Sequence, residues 1–145
     1  DSERQAFLLR LSDHLRAQAD PAEIERTALD ALAEELGLDR AHITKLYPDE
    51  DRAVVGAEAS RGFPSVIGVH RPSDFPETFR TMVNATLVSH DMRTDPVFGE
   101  TDRRSLEAVQ MVSLVVVSLR KGPGRVVWSL ACAMARPRRW SVGEV

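Results

Sequence analysis

The chain has almost no cysteine, no excess of positive charge and no long apolar run, and each lack removes a class of function. Cys132 is the single cysteine, so neither an intrachain disulfide framework nor a cysteine zinc cluster can form. That count fits a reducing, cytoplasmic setting. The formal net charge is −3 at pH 7, which leaves no basic footprint for nucleic acid. No apolar stretch approaches the ~20 residues of a membrane-spanning helix, so no membrane contact is expected. The opening residues lack a secretory-signal pattern. The four histidines, His14, His42, His70 and His90, show no short metal-ligand spacing to one another or to Cys132. No nucleophile–base pair and no glycine-rich phosphate loop is evident. The expectation is a non-catalytic domain without a metal, and no cofactor is assigned from the residues. No internal repeat or low-complexity tract occurs.

What the chain does have is the composition of one folded unit. At 145 residues, 43% hydrophobic and 28% charged, it is long enough to bury a core as a single domain over 1–145. It begins at Asp1 rather than methionine, and Ser141-Val142-Gly143-Glu144 reads as the start of a helix cut short. The sequence is therefore expected to be a fragment of a longer protein.

The clearest local signal is the stretch Val112–Trp140. Val112–Leu119 is a valine-rich apolar run suited to a strand buried on both faces. Lys121-Gly122-Pro123-Gly124 is turn chemistry, and Arg125–Ala135 is the returning strand. A tight turn between the two forces antiparallel pairing. Upstream, Phe7, Leu8, Leu11 and Leu15 form the stripe of an amphipathic helix over Glu3–Ala19. Asp20, Pro21 and Glu23 open a second helix, whose apolar face is Ile24, Ala28, Ala31, Leu32 and Leu36 and whose end is marked by Gly37. Strands are predicted over Ala41–Tyr47, Arg52–Ala59, Val66–His70 and Thr86–Asp91. Asp74 is the predicted cap of a short helix whose inner face is Phe75, Phe79, Met82 and Val83. A second short helix is predicted over Thr101–Gln110.

Helices and strands do not alternate regularly, which argues against a doubly wound parallel sheet. The order fits an α+β domain with a six-stranded antiparallel sheet, terminal helices on one face and the two short helices on the other. On the last strand Val127, Ser129, Ala131 and Ala133 share one face, and Val126, Trp128, Leu130, Cys132 and Met134 share the other. The first set is small and is expected to line any pocket beneath the short helices.

This order resembles a GAF domain, the small-molecule sensor module related to PAS domains. The resemblance spans the chain. Leu36-Gly37-Leu38-Asp39-Arg40-Ala41 is similar to the helix-to-first-strand junction. Val88-Ser89-His90-Asp91 with Asp95-Pro96 is similar to the strand and loop before the last short helix. Leu114–Leu119 and Ala135-Arg136-Pro137-Arg138-Arg139-Trp140-Ser141 resemble the final hairpin and its exit, in the form found at the front of bacterial sensor histidine kinases. Pro72-Ser73-Asp74-Phe75-Pro76 is similar to the Ser-Asp-Ile-Pro motif of phytochrome GAF domains: Ser73, Asp74 and Pro76 match, and Phe75 replaces isoleucine. The Cys-His-His-type sequence of phytochromes is replaced here by Cys132-Ala133-Met134. The Asn-Lys…Phe…Asp-Glu pattern of cyclic-nucleotide GAF domains is absent, and GAF-type methionine sulfoxide reductases rely on more cysteines than this chain has.

The resemblance implies a cytoplasmic sensor module that binds a small ligand, forms a homodimer through its terminal helices and passes a signal to a C-terminal output domain. The candidate ligand contacts are Arg71, Asp74, Phe75, Phe79, Arg80, His90 and Ser129. Two other readings stand beside it. In one the module is ligand-free, its pocket plugged by Phe75, Phe79, Met82 and Phe98, and serves dimerisation and relay. In the other it is a bilin-type photosensor. Cys132, between two alanines in a strand, reads as a packed thiol. Arg136, Arg138 and Arg139 read as a solvated loop, with Trp140 tucked against the last helix.

Overall fold

The computed structural model describes residues 2–16, 21–120 and 127–141. Helix α1 spans Ser2–Arg16 and α2 spans Pro21–Leu36, followed by β1 (Arg40–Tyr47), β2 (Arg52–Ser60) and β3 (Gly68–His70). Then come α3 (Pro76–Asn84), β4 (Leu87–Ser89), α4 (Glu100–Ala108), β5 (Ser113–Arg120) and β6 (Val127–Met134). Single 3-10 turns at Pro48–Glu50 and Pro72–Asp74 precede β2 and α3. The predicted turn at Lys121–Gly124 and the helix predicted after Ser141 fall on 121–126 and 142–145, outside the described residues.

The six strands form one sheet in the order β3-β2-β1-β6-β5-β4. Every neighbouring pair is antiparallel, including β5 with β6. The expected α+β architecture is therefore the observed one. α1 lies against α2, which packs on β1 and β2. Leu29, Ala33, Ala41, Ala59, Cys132 and Trp140 belong to the core on that side. On the opposite face Met82 of α3 and Leu106 of α4 pack with Val55, Leu114, Val116 and Ala131.

Local chemistry explains the junctions. Gly37 adopts φ +64°, a conformation open to glycine without steric penalty. Leu38 N–H donates to Ala33 O at 2.9 Å and Gly37 N–H to Glu34 O at 3.4 Å, a Schellman closure of α2. The Arg138 guanidinium adds a bond to Leu36 O at 2.8 Å. Arg138 also stacks 4.6 Å over the Trp140 ring, while Trp140 is buried and its Nε1–H donates to Ser89 O. Arg138 thus belongs to the packed exit of β6 rather than to a solvated loop. Trp140 is seated on the α2 side of the sheet.

A bulge in β2 governs which of its residues face the pocket side. Ile43 pairs with Ala57 and Thr44 with Val55, leaving Gly56 unpaired. The extra residue inverts the alternation. Ala53 and Val55 face the short helices, whereas Ala57 and Ala59 face α2.

Two expectations need correction. Asp74 does not cap α3. The N-cap residue is Phe75, without a side-chain bond. The buried Asp102 carboxylate, on α4, takes that role: it accepts Thr78 N–H at 2.9 Å, Thr78 Oγ1–H at 2.8 Å and Glu77 N–H at 3.3 Å. The orphan donors at a helix start need an acceptor, and here it comes from the neighbouring helix. Second, β5 is not buried along its length. Leu114, Val115 and Val116 are covered, but Val117 and Leu119 are 39% and 57% exposed on the α2 side.

Candidate ligand-binding site

Between the sheet and the two short helices lies a cavity of about 80 Å³. Its floor is built from small or short residues on β1, β2 and β6, among them Thr44, Ala53, Val55, Ser129 and Ala131. Its roof is Phe75, Phe79 and Met82 with Leu106 and Val109. The register assembles the floor: His42 lies opposite Ala131 and Thr44 opposite Ser129, and cross-strand partners share a face. Phe75 and Phe79 meet edge to face with centroids 6.0 Å apart, and both are only partly buried. Small strand residues opposite two phenylalanines leave space rather than a filled core.

Few polar groups reach this cavity, and they are specific. His42 is 8% exposed, lines the space and keeps a buried Nδ1 without a hydrogen-bond partner among the described residues. Burial first, then electrostatic interaction with Arg40 and with His70, pushes its pKa down to about 4. The imidazole is accordingly neutral at physiological pH. His70 also lines the cavity, its Nε2 held 2.6 Å from Val66 O. Arg40 is buried beside them. Its Nη1 donates to Pro64 O at 3.0 Å and its Nη2 to Val109 O, tying β1 to the loop before β3 and to the end of α4. Burial lowers the Arg40 pKa, opposed by the charges of Glu58 and Asp39. Among the described residues no group of three or more His, Cys, Asp or Glu side chains could hold a metal ion.

Of the predicted contacts, the structure brings Phe75, Phe79 and Ser129 to the cavity and leaves the other four outside its lining. Arg71 is exposed and ion-paired with Asp51 at 3.3 Å. Asp74 is exposed, its carbonyl accepting from Ser105 Oγ at 2.7 Å. Arg80 follows Phe79 by one residue, which turns it ~100° around the helix; it pairs with Glu77 in solvent. His90 sits beyond the edge strand β4, where Nδ1 lies 3.1 Å from Trp140 N and 3.2 Å from Arg138 O. Conversely, His42, Thr44, His70 and Thr78 line the cavity and were not among the predicted contacts. Cys132 lies on the α2 side of the sheet, its thiol pushed up to about 11 by burial. An unionised thiol there is not a nucleophile.

This arrangement of sheet, lid helices and cavity is found in solved structures. The phycocyanobilin-bound GAF domain of a cyanobacterial phytochrome matches with a TM-score of 0.78 at 22% identity, over 97% of this chain and 85% of that one. The fold is that of a GAF domain. The GAF domain of a phosphoenolpyruvate-protein phosphotransferase from Coxiella burnetii matches with a TM-score of 0.74 at 12% identity, over 97% of this chain and 83% of that one. The free methionine-R-sulfoxide reductase of Neisseria meningitidis, in complex with its substrate, matches at 0.72 and 13% identity, over 97% of this chain and 78% of that one. No family model and no curated protein matches by sequence. Among the described residues no helix is long and apolar enough to cross a membrane.

Proposed function

We propose that this GAF fold is a cytoplasmic sensory module. It binds a small ligand in the cavity beneath α3 and α4, and α1 and α2 relay occupancy to an output domain in a longer, homodimeric signalling protein. A bacterial sensor histidine kinase is the setting the exit sequence favours. The observation that carries this reading is the cavity itself, lined by a buried imidazole whose Nδ1 has no partner. A buried polar group without a partner is costly in a purely structural core, and concave, mostly apolar space with few polar groups is the usual form of a ligand site.

Two features argue against chemistry in the domain and against a bilin. The sole cysteine is buried on the opposite face from the cavity, unlike the arrangement a thiol-based reductase requires. A bilin is far larger than a cavity of about 80 Å³, and Ser73, Asp74 and Pro76, the residues shared with the phytochrome motif, are not in the lining. The ligand-free relay module is the second reading, favoured by the small size of the space and by Phe79, which packs against two core clusters.

Phe79→Ala separates the two. In a sensor with an open site, truncating this half-buried ring enlarges the cavity at a cost of roughly 1–2 kcal/mol, below the ~3–5 kcal/mol of a fully packed aromatic. Thermal melts of wild type and Phe79→Ala, each with and without a metabolite library, read the outcome. The expected result is a modest loss of stability and a ligand-induced rise in Tm for at least one protein. A loss of ~3–5 kcal/mol with no ligand-induced shift in either overturns the sensor in favour of the relay module.

A further inference from the structure

The walls of the cavity specify the kind of molecule it takes, provided that it is a ligand site as proposed above. We infer that the ligand is a small, uncharged, mostly hydrocarbon molecule with one hydrogen-bonding head group, and that the His42 imidazole recognises that group.

Charge is the first discriminator. Among the described residues no carboxylate, guanidinium or ammonium lies in the lining; its polar members are imidazoles and hydroxyls. Arg40, outside the lining, gives both Nη groups to the carbonyls of Pro64 and Val109, keeps a buried Nε–H without a partner among the described residues, and has its charge opposed by Glu58 and Asp39. An anion entering the cavity would therefore shed its water to meet a cation outside the lining whose charge two carboxylates already offset, and a cation would find no carboxylate in the lining. Both costs exceed what hydroxyls and a neutral imidazole return. A neutral molecule meets no such penalty.

Size and surface are the second. The cavity, about 80 Å³, is roughly half of the ~150 Å³ in which an apolar protein cavity accepts benzene. Most of its lining is Val, Phe, Met, Leu and Ala, with Ala131 and Ala133 lowering the floor. A short branched carbon skeleton suits that space. His42 supplies the polar anchor, because a neutral imidazole carries one donor and one acceptor and Nδ1 is buried without a partner.

The test uses four compounds with the same isobutyl-type skeleton and different heads: isobutanol, isobutyramide, isobutyrate and isobutylammonium. Each is titrated into the 145-residue chain, and the ring ¹H, ¹³C and ¹⁵N resonances of His42 are followed by NMR. The expected result is saturable millimolar binding of the alcohol and the amide, with His42 shifts, and no saturable binding of the two ions. In His42→Leu, which nearly conserves volume, both neutral compounds should bind about fivefold more weakly, the loss of one hydrogen bond. Tighter binding of isobutyrate or isobutylammonium overturns the uncharged class and leaves the sensor reading intact. Unchanged affinity in His42→Leu overturns the role of His42. Should that variant not fold, binding to wild type without perturbation of His42 resonances has the same force. Failure of all four to bind wild type overturns the inference, and failure of isobutanol to bind Phe79→Ala as well removes the ligand-site reading beneath it.

Discussion

His42 is the residue on which the site's chemistry turns, and its burial has a consequence for stability. Its folded pKa of about 4 lies below the unfolded value of 6.5. Between those values the unfolded chain binds a proton that the folded chain refuses, so stability rises with pH across this window. The contribution is complete above pH 6.5 and is lost as pH falls toward 4. Over pH 7 to 4 the loss is about 3 kcal/mol. Urea unfolding of wild type and His42→Leu at both pH values should show that difference, since other groups titrate equally in the two proteins. Identical pH dependence would contradict it. In the sequence, His42 was visible only as one of four histidines without metal spacing. The regular alternation of β6 did reveal the face that carries Ser129, Ala131 and Ala133. His42 and Thr44 reach that face through the β1–β6 register, a pairing across more than eighty residues that no local pattern encodes. Arg71, Asp74, Arg80 and His90 were attractive by residue type, yet Arg71 and Arg80 are ion-paired in solvent, Asp74 is exposed and His90 lies against the backbone of the β6 exit.

At the scale of elements, the lid helices are held to each other rather than capped independently. Asp102 reaches from α4 to the first turn of α3, and Ser105 Oγ–H bonds Asp74 O just before that turn. Asp102→Ala would leave two backbone N–H groups and the Thr78 hydroxyl without their acceptor in a buried setting, a loss of about 2–4 kcal/mol. Asp74→Ala, at an exposed side chain, should change stability by no more than ~0.5 kcal/mol. Chemical denaturation orders the two variants, and amide exchange at Glu77 and Thr78 should accelerate in the first alone. A larger effect at Asp74 would restore the local cap. The sequence contained a capping pattern at Asp74 and so fixed the helix to within two residues, but the tertiary acceptor lies 24 residues from Thr78 and leaves no local mark. Gly56 is different. An isolated glycine within a strand pattern is a bulge signal, and weighing it would have put Ala53 and Val55 on the opposite face from Ala57 and Ala59.

At the scale of the whole molecule, the two faces of the sheet are finished unequally. The short-helix side closes over a small cavity, whereas between α1, α2 and the β5–β6 ladder there is a groove of about 510 Å³. Phe7, Leu32, Ile43, Val115, Trp128 and Leu130 are among its walls. Leu8 and Leu119 in its walls are 50% and 57% exposed, and Leu9 of α1 is 67% exposed. An apolar groove with exposed leucines in its wall is the form of an interaction site, and Phe7 and Leu8 of the stripe read from the sequence place it on the element proposed to dimerise. The proposed homodimer should therefore depend on Leu8. Leu8→Glu puts a carboxylate in a contact that must lose its water, so the dimer should weaken at least ~10-fold, while the monomer's fold, to which a half-exposed Leu8 adds little, stays intact by circular dichroism. Val69→Glu is the matched control. Val69 is 67% exposed on the edge strand β3, away from α1, and the substitution should leave association unchanged. Sedimentation equilibrium of the full-length protein at micromolar concentration measures all three. A monomeric wild type, or equal weakening by both substitutions, would show that the exposed leucines of α1 do not form the interface.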